Sequence, residues 1–293
     1  MNLILACTPV QQRLGFVNVI ITLTGHDKFT SRDILASRLF DCVESKQEDW
    51  LENSKSMTGA ISWRQEEDKG TAADIVDWAV ALGLLFDTTL SWTPDARVID
   101  TLITQEEYDS IHRGGPRNPL ILSLESCIFY LYSMLKLDGA AVVYLLSALS
   151  PKGEWTRKDA GLLLPEIYEK YGKYRLSSAK SNVEYAYARE FLTISKAMVQ
   201  GARKGVLGTR ELRATPRLEP LVDLGIIKKP ENRRDSYVYK RNESTDRFLK
   251  KFGDWTEDPR GLESNFFERC AYVYGIEAAP ADGELIFRSI LRN

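Results

Sequence analysis

The densest run of positive charge in the chain lies between residues 203 and 251. This stretch holds 14 Lys and Arg against 7 Asp and Glu, a balance of +7, whereas the whole 293-residue chain has a formal net charge of −2. Arg outnumbers Lys there, and the planar guanidinium suits both phosphate oxygens and the acceptor edge of guanine. A local excess on an otherwise acidic chain indicates a surface for a polyanion. A solvated face is the alternative interpretation of such a run.

The order of residues within this stretch predicts the elements that present the charge. The segment LVDLGIIKKPENRRDSYVYK (221–240) has the pattern of a helix end, a Leu-Gly turn, a short strand, a polar turn and a second strand. Glycine readily adopts the left-handed conformation that ends a helix and turns the chain at once. We therefore expect a helix packed on a hairpin, which is the winged-helix arrangement. In helix-turn-helix proteins, the free helix enters the major groove of DNA while flanking loops contact phosphates.

A second segment of the chain repeats this order. An amphipathic helix pattern over 71–83 ends at Gly83, a short hairpin is predicted for LLFDTTLSWTP, and DARVIDTLI returns to a helix. The repeat lies in order and chemistry more than in identity. The predicted fold is mainly α with short β-hairpins, with tandem winged-helix (helix-turn-helix) subdomains joined by a helical segment.

A Gly- and Pro-rich connector, IHRGGPRNP (111–119), is the strongest predicted boundary. It separates a first winged-helix subdomain (1–115) from a helical connecting subdomain (116–180). A second, basic winged-helix subdomain (181–253) and a C-terminal extension (254–293) follow.

Several classes of function lack their residues in this sequence. There are two histidines, no C-x-x-C pair, no G-x-x-x-x-G-K-[ST] and no G-x-G-x-x-G, so neither a zinc site nor a nucleotide cofactor is predicted. The N-terminus lacks the basic start of a signal peptide, and the longest small and apolar run falls short of a membrane span. We therefore expect a cytoplasmic protein with no membrane partner.

Three stretches resemble the recognition region of type IIS restriction endonucleases and their nicking relatives (FokI-like and AlwI-like). KSMTGAISW with DIVDWAVALGLLF resembles a first winged-helix unit, RNPLILSLESCIFYLYSMLKLDGAAVVYLLSAL a central helical segment, and RLEPLVDLGIIKK a later winged helix. The stretches occur in the same order over most of 30–250. The resemblance implies sequence-specific binding of double-stranded DNA at an asymmetric site. A nuclease domain or subunit is the second candidate partner.

Nucleases of this family are of the PD-(D/E)xK type, which holds Mg²⁺ between an Asp and a Glu on neighbouring strands beside a Lys. The nearest matches are Glu44-Ser45-Lys46 and Glu67-Asp68-Lys69, and neither follows an apolar strand. We therefore identify no catalytic residue and no metal ligand in this chain. Mg²⁺ is expected only with an associated nuclease domain, and whether the chain is part of an enzyme stays open.

The residues expected to contact DNA fall into groups by predicted element. In the second unit, the helix would present to the major groove Arg210, Arg213 and Arg217. The wing would hold phosphates with Lys228, Lys229, Arg233, Arg234, Lys240 and Arg241. The loop of the first unit would contribute Lys55, Ser56, Arg64 and Gln65. The connector adds Arg113, Arg117 and Asn118.

Two other functions share the same predicted fold. A winged-helix transcriptional regulator would use the same DNA-binding physics, although such proteins usually dimerise on palindromes. A winged-helix adaptor that docks on other proteins within a larger complex is the second alternative. The overall acidity of the chain favours the adaptor, and the Arg-rich second unit opposes it.

Overall fold

The computed structural model describes residues 13–25, 31–52, 68–115, 117–203, 217–230, 238–253 and 266–276. Helices dominate these ranges. In chain order they are α1 (Gly15–Thr24), α2 (Arg32–Glu52), α3 (Asp68–Ala81), α4 (Pro94–Leu102), α5 (Gln105–Arg113), α6 (Leu124–Leu149), α7 (Arg157–Ser178), α8 (Asn182–Arg203), α9 (217–223), α10 (Glu243–Phe252) and α11 (Phe266–Val273).

Three short strands, β1 (Glu154–Thr156), β2 (Ile227–Lys228) and β3 (Val238–Arg241), form one antiparallel sheet in the order β1-β3-β2. A separate antiparallel bridge joins Leu85 to Trp92. The prediction of a mainly α fold with short β-hairpins is confirmed.

The chain divides into two compact units. Unit 1 comprises Met1–Leu137 together with Ser264–Asn293, and unit 2 comprises Asp138–Glu263. The limit between them falls inside α6 rather than in the predicted connector 111–119, which belongs to unit 1.

The core of unit 1 is built around α1. Its sequence GFVNVIITLT is apolar on nearly all sides, and a helix of that kind is stable only when it is surrounded. Its one amide side chain, Asn18, accepts a hydrogen bond from the buried Tyr130 hydroxyl at 2.7 Å. The Trp92 indole donates to the Ile21 carbonyl at 3.1 Å, which ties the end of the Leu85–Trp92 hairpin to α1.

In unit 2, the sheet has one buried face and one exposed face. Trp155 on β1 lies opposite Tyr239 on β3, and both side chains are buried. The next register position pairs Glu154 with Lys240, and Lys240 in turn lies opposite Lys228. Because side chains alternate along a strand, these three charged residues share the exposed face.

The helices that flank the sheet begin at well-formed caps. Thr156 starts α7 and Asn242 starts α10, each in a reciprocal capping box, which satisfies backbone donors that have no partner within the helix. In the α7 box, the Lys152 ammonium and the Thr156 backbone donor lower the pKa of Asp159 to about 2. Both helices are therefore fixed to the strand that immediately precedes them.

Candidate nucleic-acid interface

Helices α3 and α9 end with the same backbone geometry. Gly83 and Gly225 have φ of 75° and 66°, the left-handed region in which glycine carries no steric penalty. In each case the next residue donates to the carbonyl five residues earlier, at 3.0 and 2.9 Å. This is the Schellman ending of a helix. This ending leads each of the two segments directly into its hairpin.

After each hairpin, the residue that starts the next helix donates a hydrogen bond to the glycine that ended the preceding helix. The Thr93 hydroxyl, at the start of α4, donates to the Gly83 carbonyl at 2.6 Å. The Asn242 amide, at the start of α10, donates to the Gly225 carbonyl at 2.9 Å. The two glycines lie 142 residues apart. When 75–86 is aligned with 217–228 at that spacing, the two segments have the same degree of burial at eleven of twelve positions. The two segments are structural equivalents, as the order of residues predicts.

The two units carry opposite charge. Within the limits of unit 1 the sequence has 15 Lys and Arg and 23 Asp and Glu, a net charge of −8. Within the limits of unit 2 the sequence has 24 Lys and Arg and 18 Asp and Glu, a net charge of +6. The positive charge noticed over 203–251 is therefore a property of one compact unit, whereas the unit that contains the equivalent helix α3 is acidic.

Most described cations of the predicted wing have a carboxylate partner. The Lys229 ammonium lies 2.9 Å from Glu219, and the two side chains are only 10% and 16% exposed. Lys229 also lies over the Tyr239 ring, 5.8 Å from its centroid. Lys240 pairs with Glu154 at 3.1 Å, and Arg241 pairs with Asp246.

The neighbours of Lys229 give it a structural role. The Tyr239 hydroxyl donates to the other Glu219 oxygen at 2.6 Å, so helix α9, strand β3 and the residue that follows β2 meet at one carboxylate. The prediction that Lys229 holds a phosphate is corrected accordingly. Lys228, by contrast, is exposed on the open face of the sheet.

The prediction that Arg217 faces the major groove is also corrected. Its side chain is 3% exposed. The guanidinium donates to the Tyr168 hydroxyl at 3.1 Å and lies 5.9 Å from the centroid of the same ring. A buried guanidinium held in this way cannot reach a base edge without leaving the core.

The connector residues also have internal partners. Asn118 is 3% exposed, and its amide donates to the Trp50 carbonyl at 2.8 Å. Its predicted DNA contact is therefore corrected to a structural role. Arg117 lies 3.6 Å from the buried Glu107 carboxylate. Arg113 has a 77% exposed side chain, 3.4 Å from Asp109, and keeps the access that a phosphate contact requires.

The remaining predicted contacts lie outside the described residues. They are Lys55, Ser56, Arg64, Gln65, Arg210, Arg213, Arg233 and Arg234. Their roles stay predictions.

Sequence reasoning did not find the ion pair between Arg32 and Asp77. Arg32 begins α2, Asp77 lies in α3, and 45 residues separate them. The Asp77 hydrogen bond raises the pKa of Arg32, while burial and the neighbouring Asp77 charge raise the pKa of Asp74. The internal repeat is the feature of the sequence that could have indicated this ion pair. Asp77 and Glu219 occupy equivalent positions, and each forms an ion pair with a basic side chain.

Within the described ranges, His, Cys, Asp and Glu side chains form no group of three that could bind a metal ion. None of the helices described has both the length and the hydrophobicity to cross a bilayer. Comparison with known proteins yields no family model, no curated protein and no solved structure that matches the chain.

Proposed function

We propose that the chain binds double-stranded DNA in a sequence-specific manner, as the recognition domain or subunit of a type IIS restriction or nicking endonuclease. The observation that carries the proposal is the segregation of charge, +6 in unit 2 against −8 in unit 1. The positive unit also holds a helix, a glycine turn and the paired strands β2 and β3 in that order, which is the order expected of a winged helix.

The proposed interface in unit 2 has two parts. Residues before and within α9 would read bases, with Arg210 and Arg213 as the candidates and Arg217 left in the core. The exposed face of the sheet, with Lys228 and the paired Lys240, would contact phosphates together with Arg241, a paired and exposed cation at the end of β3. Exposed ion pairs are worth little in water, so a phosphate can replace Glu154 or Asp246 as the partner of these cations at small cost.

The two repeat copies favour an asymmetric site. A dimeric regulator reads a palindrome with two identical surfaces, whereas this chain presents two equivalent segments of opposite surrounding charge. A monomer that contacts DNA with dissimilar units fits a site without two-fold symmetry. This is the reason for preferring the endonuclease recognition role to the transcriptional regulator.

One observation favours the adaptor as a second candidate. Unit 1 has a net charge of −8, and its hairpin places Phe86, which is 50% exposed, at the position equivalent to Lys228. An acidic surface with an exposed aromatic side chain would suit a protein partner.

A salt titration of duplex binding tests the proposal. Neutralising roughly five to eight phosphates gives a slope of about −4 to −7 for log affinity against log salt. We expect this slope in gel-shift or fluorescence titrations with a random duplex, and tighter binding to a sequence selected from a random pool. A flat response to salt would reject DNA binding and leave the adaptor.

A further inference from the structure

The Arg32–Asp77 pair has a specific geometry. The Arg32 Nε donates to one Asp77 oxygen at 2.6 Å, and Nη2 donates to the other at 2.5 Å. The carboxylate therefore occupies the side of the guanidinium that includes Nε. The opposite edge, formed by Nη1 and the second hydrogen of Nη2, makes no hydrogen bond with any described residue.

The pair is also accessible. The Arg32 and Asp77 side chains are 46% and 45% exposed. Arg32 lies at the first position of α2, so few backbone atoms of its own helix surround it, and Asp77 lies on the α3 segment equivalent to α9. A bidentate carboxylate restricts the rotamers of the long Arg side chain and orients its free edge.

The free edge presents two parallel N–H donors, the arrangement that pairs with the N7 and O6 acceptors of guanine in the major groove. We propose that Arg32, held by Asp77, reads one guanine of the DNA site. This inference rests on the proposed function and extends it to unit 1, with a named base and a residue that the sequence pattern did not indicate.

The surrounding charges favour a base over a phosphate as the ligand. Asp33 follows Arg32 on α2, and Asp74 lies one turn before Asp77 on α3. Both carboxylates attract the Arg32 charge. Three carboxylates around one guanidinium repel a phosphate group. A neutral base edge with two acceptors meets no such repulsion, and Asp74 can accept a hydrogen bond from a neighbouring cytosine amino group.

Selection of bound duplexes from a random pool tests the inference. The selection compares the wild-type chain with Arg32→Lys and Asp77→Asn, and with Arg97→Lys as a control, since Arg97 is an exposed arginine of α4 in the same unit. Lysine keeps the charge of Arg32 but lacks the fork, and Asn removes the charge that orients it. We expect both pair variants to lose a guanine preference at the same single position. That loss should be about 5- to 150-fold, with the other positions and the control unchanged.

Each outcome is informative. A wild-type chain that selects a sequence whose base preferences do not change in either pair variant would show that the pair only ties α2 to α3. A wild-type chain that enriches no sequence would reject the proposed function itself, and the inference with it. Melting temperatures close to wild type establish that a lost preference reflects recognition and not unfolding.

Discussion

At the scale of single residues, two adjacent lysines have different surroundings. Lys228 is exposed on the open face of the sheet, whereas Lys229 is largely enclosed against Glu219 and Tyr239. A partly buried ion pair loses stability when one partner is removed, because the remaining charge is left without compensation. An exposed lysine has no such effect on folding.

We therefore expect Lys228→Ala and Lys229→Ala to fail differently. Lys228→Ala should leave the melting temperature unchanged, weaken binding about equally for selected and random duplexes, and reduce the salt slope by about one. Lys229→Ala should cost about 1–3 kcal/mol of folding free energy, below the full cost of a deeply buried pair because the Tyr239 hydroxyl still donates to Glu219.

Chemical denaturation and duplex titrations measure both effects in parallel. A stable Lys229→Ala variant with weakened DNA binding would return Lys229 to the phosphate contacts and remove its structural role.

At the scale of elements, the glycine turn is the feature that both repeat copies share. An added Cβ meets no atom within 4 Å at Gly83 or Gly225, so the cost of a side chain there is conformational and not steric. Gly70 in α3 has equally open space, without a positive φ.

Gly70→Ala and Gly225→Ala should therefore change stability in opposite directions. The first places a better helix former within a helix and should stabilise the fold by about 0.5–1 kcal/mol. The second forces alanine into the left-handed region and should destabilise it by about 1–2 kcal/mol. Chemical denaturation measures both changes as shifts of the unfolding midpoint, provided that the m value stays constant. Equal effects of the same sign would mean that the Schellman geometry does not govern the α9 ending.

At the scale of the whole molecule, the two compact units carry opposite net charge. In the proposed recognition role, unit 2 would attract the duplex while the acidic unit 1 would limit indiscriminate contact, a combination that suits a selective reader. The proposed recognition role needs no catalytic centre in either unit.

Mg²⁺ should accordingly produce neither nicking nor cutting of a plasmid by this chain alone. The physical reason is that the match at Glu44 lies in the middle of helix α2 and not beside a strand, as a PD-(D/E)xK centre requires. Incubation of supercoiled plasmid with the chain and Mg²⁺ checks this, with gel electrophoresis as the readout. Mg²⁺-dependent nicking that disappears in Glu44→Gln or Glu67→Gln would overturn the expectation.

The sequence by itself determined the features that depend on local chemistry. The Leu-Gly endings of α3 and α9 follow from glycine at a position that needs positive φ. The hairpins follow from alternating residues bounded by polar turns, and the location of the positive charge follows from composition. The glycine endings and the hairpins are visible within about twenty residues of chain, the range over which such patterns act. The positive charge is visible as a sum over 203–251.

Only the tertiary structure decided which cations are available. Arg217 meets Tyr168 from 49 residues away, and Arg32 meets Asp77 from 45. Such pairings depend on how elements pack, and no local period records them. The third strand of the sheet likewise comes from 154–156, far from the hairpin that it completes. Burial and ion pairing are properties of these non-local contacts, which is why the candidate base-reading residue in unit 1 emerged from the fold and not from the sequence.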